Sequence, residues 1–247
     1  EVAGTTVVML GNAAIARGAY EAGVKVSAAY PGTPSTEISE NLVKYKDELY
    51  SEWSPNEKVA TEVAIGASIS GVRALVSMKH VGVNVASDPL YTISYSGVNG
   101  GLVLVAADDP GIYSSQNEQD SRMVARAAMV PVIEPSDSEE ARMFIKRAFE
   151  LSEQYDTPIM FRTTTRLAHS QGVVHLEERQ QIPDKPYEKN IAKNVMMPGN
   201  AIKRHLVVEE RLKKMAADAA TLDINKVEYN DTKIGVITSG IPYQYVK

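Results

Sequence analysis

In this 247-residue chain the carboxylate Glu57 directly precedes residues 58–71, which are mainly small, apolar and helix-forming. A carboxyl group in a water-poor crevice has a raised proton affinity, which suits it to exchanging protons near neutral pH. Glu57 also fits a purely structural role. Ser54 and Glu57 have the spacing of a capping box, and Pro55 suits the first helical position, so spacing alone favours a helix cap. The two roles are compatible.

A turn with the sequence Tyr-Pro-Gly-Thr, residues 30–33, follows a short apolar segment. Proline and glycine favour a turn here, and Ser35 fits the N-cap of a following helix. Residue types alone therefore predict a turn and a cap, and they leave a binding role for Thr33 open.

A cation and an imidazole follow another apolar segment, residues 73–78. They are Lys79 and His80, with Asn84 four residues further on. Both charged groups fit the exposed end of a strand, where they would need no further role. Beside a cleft, the ammonium group would orient a carboxylate and the imidazole would transfer a proton. The sequence leaves both interpretations open.

Composition excludes several classes of function. The net charge is −5 and basic runs are short, which argues against nucleic-acid binding. The chain contains no cysteine, so it holds no disulfide, thiolate nucleophile or cysteine-ligated iron–sulfur cluster. No apolar run approaches the roughly 18 residues of a membrane span, and we expect a cytoplasmic protein. The four histidines do not have the spacing of metal ligands; they are His80, His169, His175 and His205.

Apolar segments alternate with helical patterns over the first two thirds of the chain. The predicted strands are 5–10, 24–30, 73–78, 101–107, 130–134 and 158–163, and the predicted helices are 13–22, 35–49, one from 55, 118–128 and one after a capping box of Ser136 and Glu139. This alternation predicts an α/β fold with a doubly wound, mostly parallel sheet. Chemistry in such sheets lies beyond the carboxyl ends of the strands, which here are the loops 30–37, 79–84 and 108–120.

The remaining third has a different character. Residues 170–200 are polar and lack periodicity, so we expect an ordered excursion or a linker. A helical pattern covers 205–221, and the apolar segment 233–239 is predicted to be a strand.

Several motifs, in order along the chain, together resemble the pyrimidine-binding domain of the thiamine-diphosphate-dependent 2-oxoacid:ferredoxin oxidoreductases, and most closely the indolepyruvate type. The motifs are Gly11-Asn12 through Ala22-Gly23, the Tyr-Pro-Gly-Thr-Pro-Ser-Thr-Glu run at 30–37, Asn56 to Ala60, Lys79 to Gly82, and Ser114 to Asp120. The resemblance covers about residues 5–170 and resumes at 233–245.

The resemblance implies a role for Glu57. In this family a carboxyl group binds a ring nitrogen of the cofactor's aminopyrimidine and helps the cofactor to lose a proton. Glu57 is at the matching position, and Tyr30 and Pro31 are implied as further cofactor contacts. The Gly-Asp-Gly…Asn motif that holds the diphosphate and magnesium is absent from this sequence. The chain is therefore expected to bind only the pyrimidine end, with magnesium and iron–sulfur clusters elsewhere in the enzyme.

The resemblance also implies substrate contacts. In related enzymes the threonine that matches Thr33 points to the carboxylate of the 2-oxoacid. The implied set of substrate-contacting residues is Thr33, Lys79, His80, Asn84, Gln116 and Asn117.

One loop departs from the family pattern. Pyruvate- and oxoglutarate-type relatives have an arginine after the strand that matches 103–107, whereas this chain has Asp108-Asp109-Pro110-Gly111. Two acids would repel a second carboxylate in a dry site. We therefore expect a 2-oxoacid with a bulky, neutral side chain, such as an aryl pyruvate, and discrimination against 2-oxoglutarate.

The implied function is part of an enzyme that oxidatively decarboxylates aryl pyruvates with coenzyme A and ferredoxin. Its implied partners are a diphosphate-binding domain, a beta subunit, ferredoxin, coenzyme A and the 2-oxoacid, in a homodimer of domains. Two alternatives stay open: an enzyme for pyruvate or 2-oxoglutarate, and a catalytically silent interaction module. The expected organisation is a pyrimidine-binding domain at 1–168, a connecting region with one helix at 169–229, and the truncated start of a transketolase-C-like domain at 230–247.

Overall fold

The computed structural model describes residues 2–229 and 233–247. The strands are β1 (Thr6–Leu10), β2 (Val26–Ala29), β3 (Tyr50–Trp53), β4 (Ala74–Lys79), β5 (Leu102–Asp108), β6 (Val132–Ile133), β7 (Ile159–Thr164) and β8 (Gln171–His175). The α-helices are α1 (Gly11–Glu21), α2 (Thr36–Leu42), α3 (Glu57–Ile69), α4 (His80–Val85), α5 (Ser87–Ser96), α6 (Ser121–Ala127), α7 (Ser138–Tyr155), α8 (Thr165–His169), α9 (Ile191–Asn194), α10 (Pro198–Asp218) and α11 (Tyr243–Val246).

Six strands form a parallel sheet in the order β3-β2-β4-β5-β7-β6. The chain first winds outward from β2 to β3, then crosses back to β4 on the other side of β2 and winds in the opposite direction. The strand order therefore reverses between β2 and β4, which makes that gap the topological switch point. The predicted doubly wound, parallel α/β fold is confirmed.

Helices cover both faces of this sheet, as parallel strands buried on two sides require. On one face α1, α2 and α7 enclose a core that includes Ile15, Ile38 and Phe149. On the other face α3, α5 and α6 bury residues such as Ala64 and Leu90. The two cores make the central strands β4 and β5 buried along their whole length.

Two strands were not predicted from the sequence. β3 is short and includes Ser51 and Glu52, so it lacks the apolar pattern of a buried strand and joins the sheet at its edge. β8 lies within the polar segment 170–200 and pairs antiparallel with β1, outside the six-stranded sheet. Only Val174 of β8 is buried, so its sequence carries little periodic signal.

The cap of α7 differs from the predicted capping box. The predicted cap was Ser136, but Asp137 is the N-cap, and its Oδ1 accepts from the N–H of Glu140 at 2.8 Å. The Glu140 carboxylate in turn accepts from the N–H of Ser136 at 2.9 Å. The N-cap is therefore one residue later than predicted, and the carboxylate of Asp137, not the hydroxyl of Ser136, accepts from the first turn of α7.

The last third also differs in part. The helix predicted from residue 205 begins earlier, at Pro198, because proline is well suited to a first helical turn. The predicted strand at 233–239 is wrong, since residues 234–239 lie outside any helix or strand, and Ile234 and Ile237 are exposed. Within the described part of the chain, none of the helices combines the length and the apolar character needed to cross a membrane.

Candidate active site

The candidate site lies at the switch point, where β2, β3 and β4 end side by side. The loop 30–35 follows β2, α3 begins four residues after β3, and Lys79 is the last residue of β4. Ala29, at the end of β2, pairs with both Trp53 and Ser77, which brings the three chain segments to one edge of the sheet. Three of the predicted site segments are thus neighbours, as the parallel topology dictates.

Glu57 is the first residue of α3 and is half-buried. Its side chain lies against Gly82 of α4: a Cβ built on Gly82 would be 2.6 Å from both Cγ and Oε1 of Glu57. The backbone oxygen of Glu57 accepts from Thr61 Oγ1 at 2.8 Å. Among the described residues, none forms a hydrogen bond or ion pair with the Glu57 carboxylate. Its oxygens are therefore available to a ligand.

The predicted capping box at the start of α3 is wrong. Asn56 is the N-cap, and its Oδ1 accepts from the N–H of Val59 at 3.0 Å. Ser54 instead donates its hydroxyl to Glu52 Oε1 at 2.7 Å, on the strand side. Because Asn56 performs the capping, the side chain of Glu57 is not engaged in closing the helix end.

Hydrogen bonds between its own residues stabilise the turn that contains Thr33. Ser35 Oγ donates to the oxygen of Gly32 at 2.8 Å, and the N–H of Gly32 donates to Thr36 Oγ1 at 2.9 Å. Ser35 is the N-cap of α2 but makes no side-chain cap bond. The peptide bond between Thr33 and Pro34 is cis. Tyr30, Pro31 and Thr33 are all exposed at this turn.

Asn12, at the start of α1, joins this turn to α2, and sequence reasoning did not single it out as a site residue. Its Nδ2 donates to the oxygen of Pro34 at 2.7 Å and to Glu37 Oε2 at 2.9 Å. The side chain is 1% exposed. The available sequence signal was an asparagine directly before the apolar residues 13–15, because an amide buried beside such residues needs fixed partners.

Lys79 and His80 are buried, which excludes the interpretation as exposed strand-end charges. Lys79 Nζ donates to the backbone oxygen of Ser114, and His80 Nε2 lies 3.1 Å from the backbone oxygen of Asn117. Both side chains therefore hold the loop after β5 against the end of β4. The buried Nδ1 of His80 has no hydrogen-bond partner among the described residues.

The other predicted contact residues lie on α4 and in the loop after β5. Asn84 is exposed and lies two residues after Gly82 on α4, and residues two apart do not share a helix face. Gln116 and Asn117 are exposed in the loop after β5. The structure brings Asn117 to His80 through its backbone oxygen, while its side chain accepts from Gln119.

In the loop that departs from the family pattern, both acids have hydrogen-bond partners, but only Asp108 is paired with a cation. Asp108 is fully buried and accepts from Arg162 Nε at 2.6 Å and from the N–H of Ser121 at 3.1 Å. A carboxylate paired in this way has its charge compensated within the protein. Asp108 therefore no longer contributes to the electrostatic argument against 2-oxoglutarate. Arg162, a single cation inside the apolar strand β7, was the sequence signal for this pair.

Asp109 is 1% exposed and organises the loop that follows it. Its oxygens accept from the N–H of Ser114 at 2.8 Å, Ser115 Oγ at 2.6 Å and Thr165 Oγ1 at 2.7 Å. Burial alone raises the pKa of Asp109, but these hydrogen bonds outweigh it and lower that pKa to about 2. Asp109 is thus a structural anion at neutral pH.

Across residues 2–229 and 233–247, no group of three histidine or acidic side chains could hold a metal ion. The candidate site therefore consists of one carboxylate, a glycine surface and neutral or cationic groups around the switch point.

The fold and this site define an α/β cofactor-binding domain with its chemistry at the switch point of a parallel sheet. The chain belongs to the family described as pyruvate flavodoxin/ferredoxin oxidoreductase, thiamine diphosphate-binding, which matches residues 17–234. The family predicted from the sequence motifs is confirmed.

Curated relatives extend this result. The chain is 47% identical to the indolepyruvate oxidoreductase subunit IorA of Archaeoglobus fulgidus, over 99% of this chain and 40% of that protein. It is 30% identical to the 2-oxoglutarate synthase subunit KorA of Methanothermobacter thermautotrophicus, over 71% of this chain and 47% of that protein. The chain thus spans about 40% of the length of its indolepyruvate relatives.

A solved structure supports the fold. The 2-oxoglutarate:ferredoxin oxidoreductase of Magnetococcus marinus, solved with 2-oxoglutarate, coenzyme A and succinyl-CoA, superposes with a TM-score of 0.72. The sequence identity is 18%, and the match covers 86% of this chain and 45% of the other.

Proposed function

We propose that this chain is the pyrimidine-binding part of an indolepyruvate ferredoxin oxidoreductase, which oxidatively decarboxylates aryl pyruvates. The observation that carries the proposal is the Glu57 carboxylate, half-buried at the switch point and without a protein partner among the described residues. The substrate class is supported by the identity to indolepyruvate oxidoreductase subunits, 47% against 30% for a 2-oxoglutarate synthase subunit.

The residues around Glu57 fit the pyrimidine end of thiamine diphosphate. A carboxyl group both donates and accepts hydrogen bonds, as a ring nitrogen that gains and loses a proton requires. The bare surface of Gly82 leaves room beside it. Tyr30 and Pro31 supply exposed apolar surface at the neighbouring turn. When bound, the cofactor supplies the carbon nucleophile that attacks the 2-oxoacid.

In this proposal Glu57 holds the proton that is shared with the ring nitrogen. Thr33, exposed on its turn, offers a hydroxyl to the carboxylate of the 2-oxoacid. Lys79 uses one of the three donors of an ammonium group on Ser114, so it adds positive charge at the same edge. The buried Nδ1 of His80 is a further proton donor or acceptor. Asn84, Gln116 and Asn117 are outer contacts.

The rest of the enzyme supplies what this chain lacks. We propose that a diphosphate-binding domain and a beta subunit complete the site, with magnesium and iron–sulfur clusters held there, and that coenzyme A and ferredoxin act as acceptors. The division at 1–168, 169–229 and 230–247 remains part of this proposal, with two pyrimidine-binding domains in a homodimer. The cytoplasm is the proposed location.

The test is Glu57→Gln in the complete enzyme. Glutamine keeps the shape of the side chain but cannot share a proton, so turnover should fall by about 10²–10⁴-fold, the usual contribution of acid–base catalysis. Hydrogen exchange at the reactive carbon of the cofactor, measured by NMR without substrate, should fall in parallel. Glu62→Gln is the matched control, since Glu62 is an exposed glutamate on the same helix. Unchanged exchange in the Glu57 variant would mean that the domain is a silent interaction module.

A separate assay tests the substrate class. Values of kcat/KM for indolepyruvate, pyruvate and 2-oxoglutarate should rank indolepyruvate first. Equal or better use of 2-oxoglutarate would assign the enzyme to the other branch of the family.

A further inference from the structure

Gly82 is a glycine in a place where the backbone does not need one. It lies within α4, and its φ is not among the positive values recorded for six other glycines. Glycine is among the poorest helix formers, and alanine at such a position would favour the helix. Helix stability therefore gives no reason for a glycine at position 82, and its neighbours must supply one.

The three nearest neighbouring atoms all belong to one side chain. A Cβ at position 82 would lie 2.6 Å from Cγ, 2.6 Å from Oε1 and 2.8 Å from Cδ of Glu57. Distances below 3.0 Å are shorter than real carbon contacts allow. We propose that Gly82 is a positioning residue: by lacking a side chain it lets the Glu57 carboxyl group rest against α4, in the orientation that the pyrimidine ring requires. This inference rests on the proposed function of Glu57.

The type of contact indicates that a side chain at position 82 would change the orientation of Glu57 and not the stability of the fold. The atoms that a new methyl group would meet belong to the far end of a flexible side chain, not to the backbone. Gly82→Ala should therefore turn the Glu57 side chain aside and leave α3 and α4 in place. A displacement of about 1 Å in a catalytic group reduces catalysis by about a hundredfold.

The chain contains a matched control. Gly66 is a helical glycine in α3, and a Cβ there would meet nothing within 4 Å. Gly66→Ala makes the same chemical change and the same gain in helix propensity without approaching Glu57.

The experiment compares the complete enzyme with its variants Gly82→Ala, Gly66→Ala, Glu57→Ala and the double variant Gly82→Ala/Glu57→Ala. Three quantities are measured: hydrogen exchange at the reactive carbon of the cofactor without 2-oxoacid, the affinity of the apoenzyme for thiamine diphosphate by calorimetry, and the melting temperature. Gly82→Ala should lower the exchange rate by about a hundredfold with no fall in melting temperature, while Gly66→Ala keeps the wild-type rate. In the Glu57→Ala background, Gly82→Ala should have no further effect on exchange or affinity, because the colliding side chain is gone.

The outcomes separate this inference from the proposed function. If Glu57→Ala keeps the wild-type exchange rate, the proposed function fails and the inference fails with it. If Glu57→Ala loses exchange but Gly82→Ala does not, only the inference is overturned. The same holds if Gly82→Ala is equally harmful with and without Glu57. Should Gly82→Ala lower the melting temperature, recovery in the double variant supports the inference, and persistence of the loss overturns it.

Discussion

Arg162 on β7 donates from Nε to Oδ2 of Asp108 on β5 across 2.6 Å, where two neighbouring parallel strands end. Both side chains are buried, and Arg162 also binds the carboxylate of Glu134. This ion pair compensates the charge of Asp108 at the edge of the sheet. Asp108 therefore does not discriminate between substrates by their charge.

Arg162→Met should destabilise the protein by about 3–5 kcal/mol, because it leaves the buried Asp108 without its cation and removes one of the two arginines that pair with Glu134. Urea unfolding at pH 7 measures the loss. Lys58→Met is the control: it breaks the exposed pair with Asp88, which should cost less than about 1 kcal/mol. Equal losses in both variants would contradict the structural role of the Arg162–Asp108 pair.

Asp109 predicts an acid-dependent contribution to stability. Its pKa is lowered from 3.8 to about 2, so the folded state favours the charged form. The stabilisation is present above pH 4 and is lost as pH falls through the folded pKa. Asp109→Asn should cost about 2 kcal/mol at pH 7, and the gap to wild type should shrink between pH 4 and pH 2. A gap that stays constant in unfolding titrations over this range would exclude the mechanism, and Asp88→Asn serves as an exposed control.

The hydrogen bond from Asn12 to Pro34 connects α1 to the turn that contains Thr33, and a substitution at Asn12 tests this connection. Asn12→Asp would place a carboxylate opposite the oxygen of Pro34 and the carboxylate of Glu37, where the amide now donates. We expect a loss of about 1–3 kcal/mol in the free energy of unfolding and a raised KM for the 2-oxoacid.

Asn225→Asp is the matched control for Asn12→Asp, because Asn225 makes one exposed bond to a backbone oxygen. Thermal unfolding and steady-state kinetics on both variants decide the matter. An unchanged KM in Asn12→Asp would show that the turn is positioned without this amide.

The cap of α3 predicts a contrast between two neighbouring residues. Asn56→Ala should destabilise the protein by about 1 kcal/mol, since it leaves the N–H of Val59 without an acceptor. Ser54→Ala should not affect this cap, because Ser54 donates to Glu52. Urea unfolding of the two variants compares them directly, and a larger loss from Ser54→Ala would restore the capping box that the sequence suggested.

The sequence by itself determined the class of fold and the position of its chemistry. Alternating apolar and helical segments require a parallel sheet with helices on both faces, and such a sheet places its site beyond the strand ends. Local patterns suffice for this because the strands β4 and β5 are buried along their whole length and are mainly apolar. The motifs around Glu57 then indicated the family, which the match over residues 17–234 confirms.

Tertiary structure decided the features that depend on partners distant in sequence. β8 forms a strand because β1 pairs with it. The paired residues closest in sequence, Leu10 and Gln171, are about 160 residues apart, and no local pattern records such a pairing. The charge of Asp108 is cancelled by Arg162, 54 residues later. The open space for Glu57 comes from Gly82 on another helix. Each of these is a contact between elements, and residue types alone do not say which elements will meet.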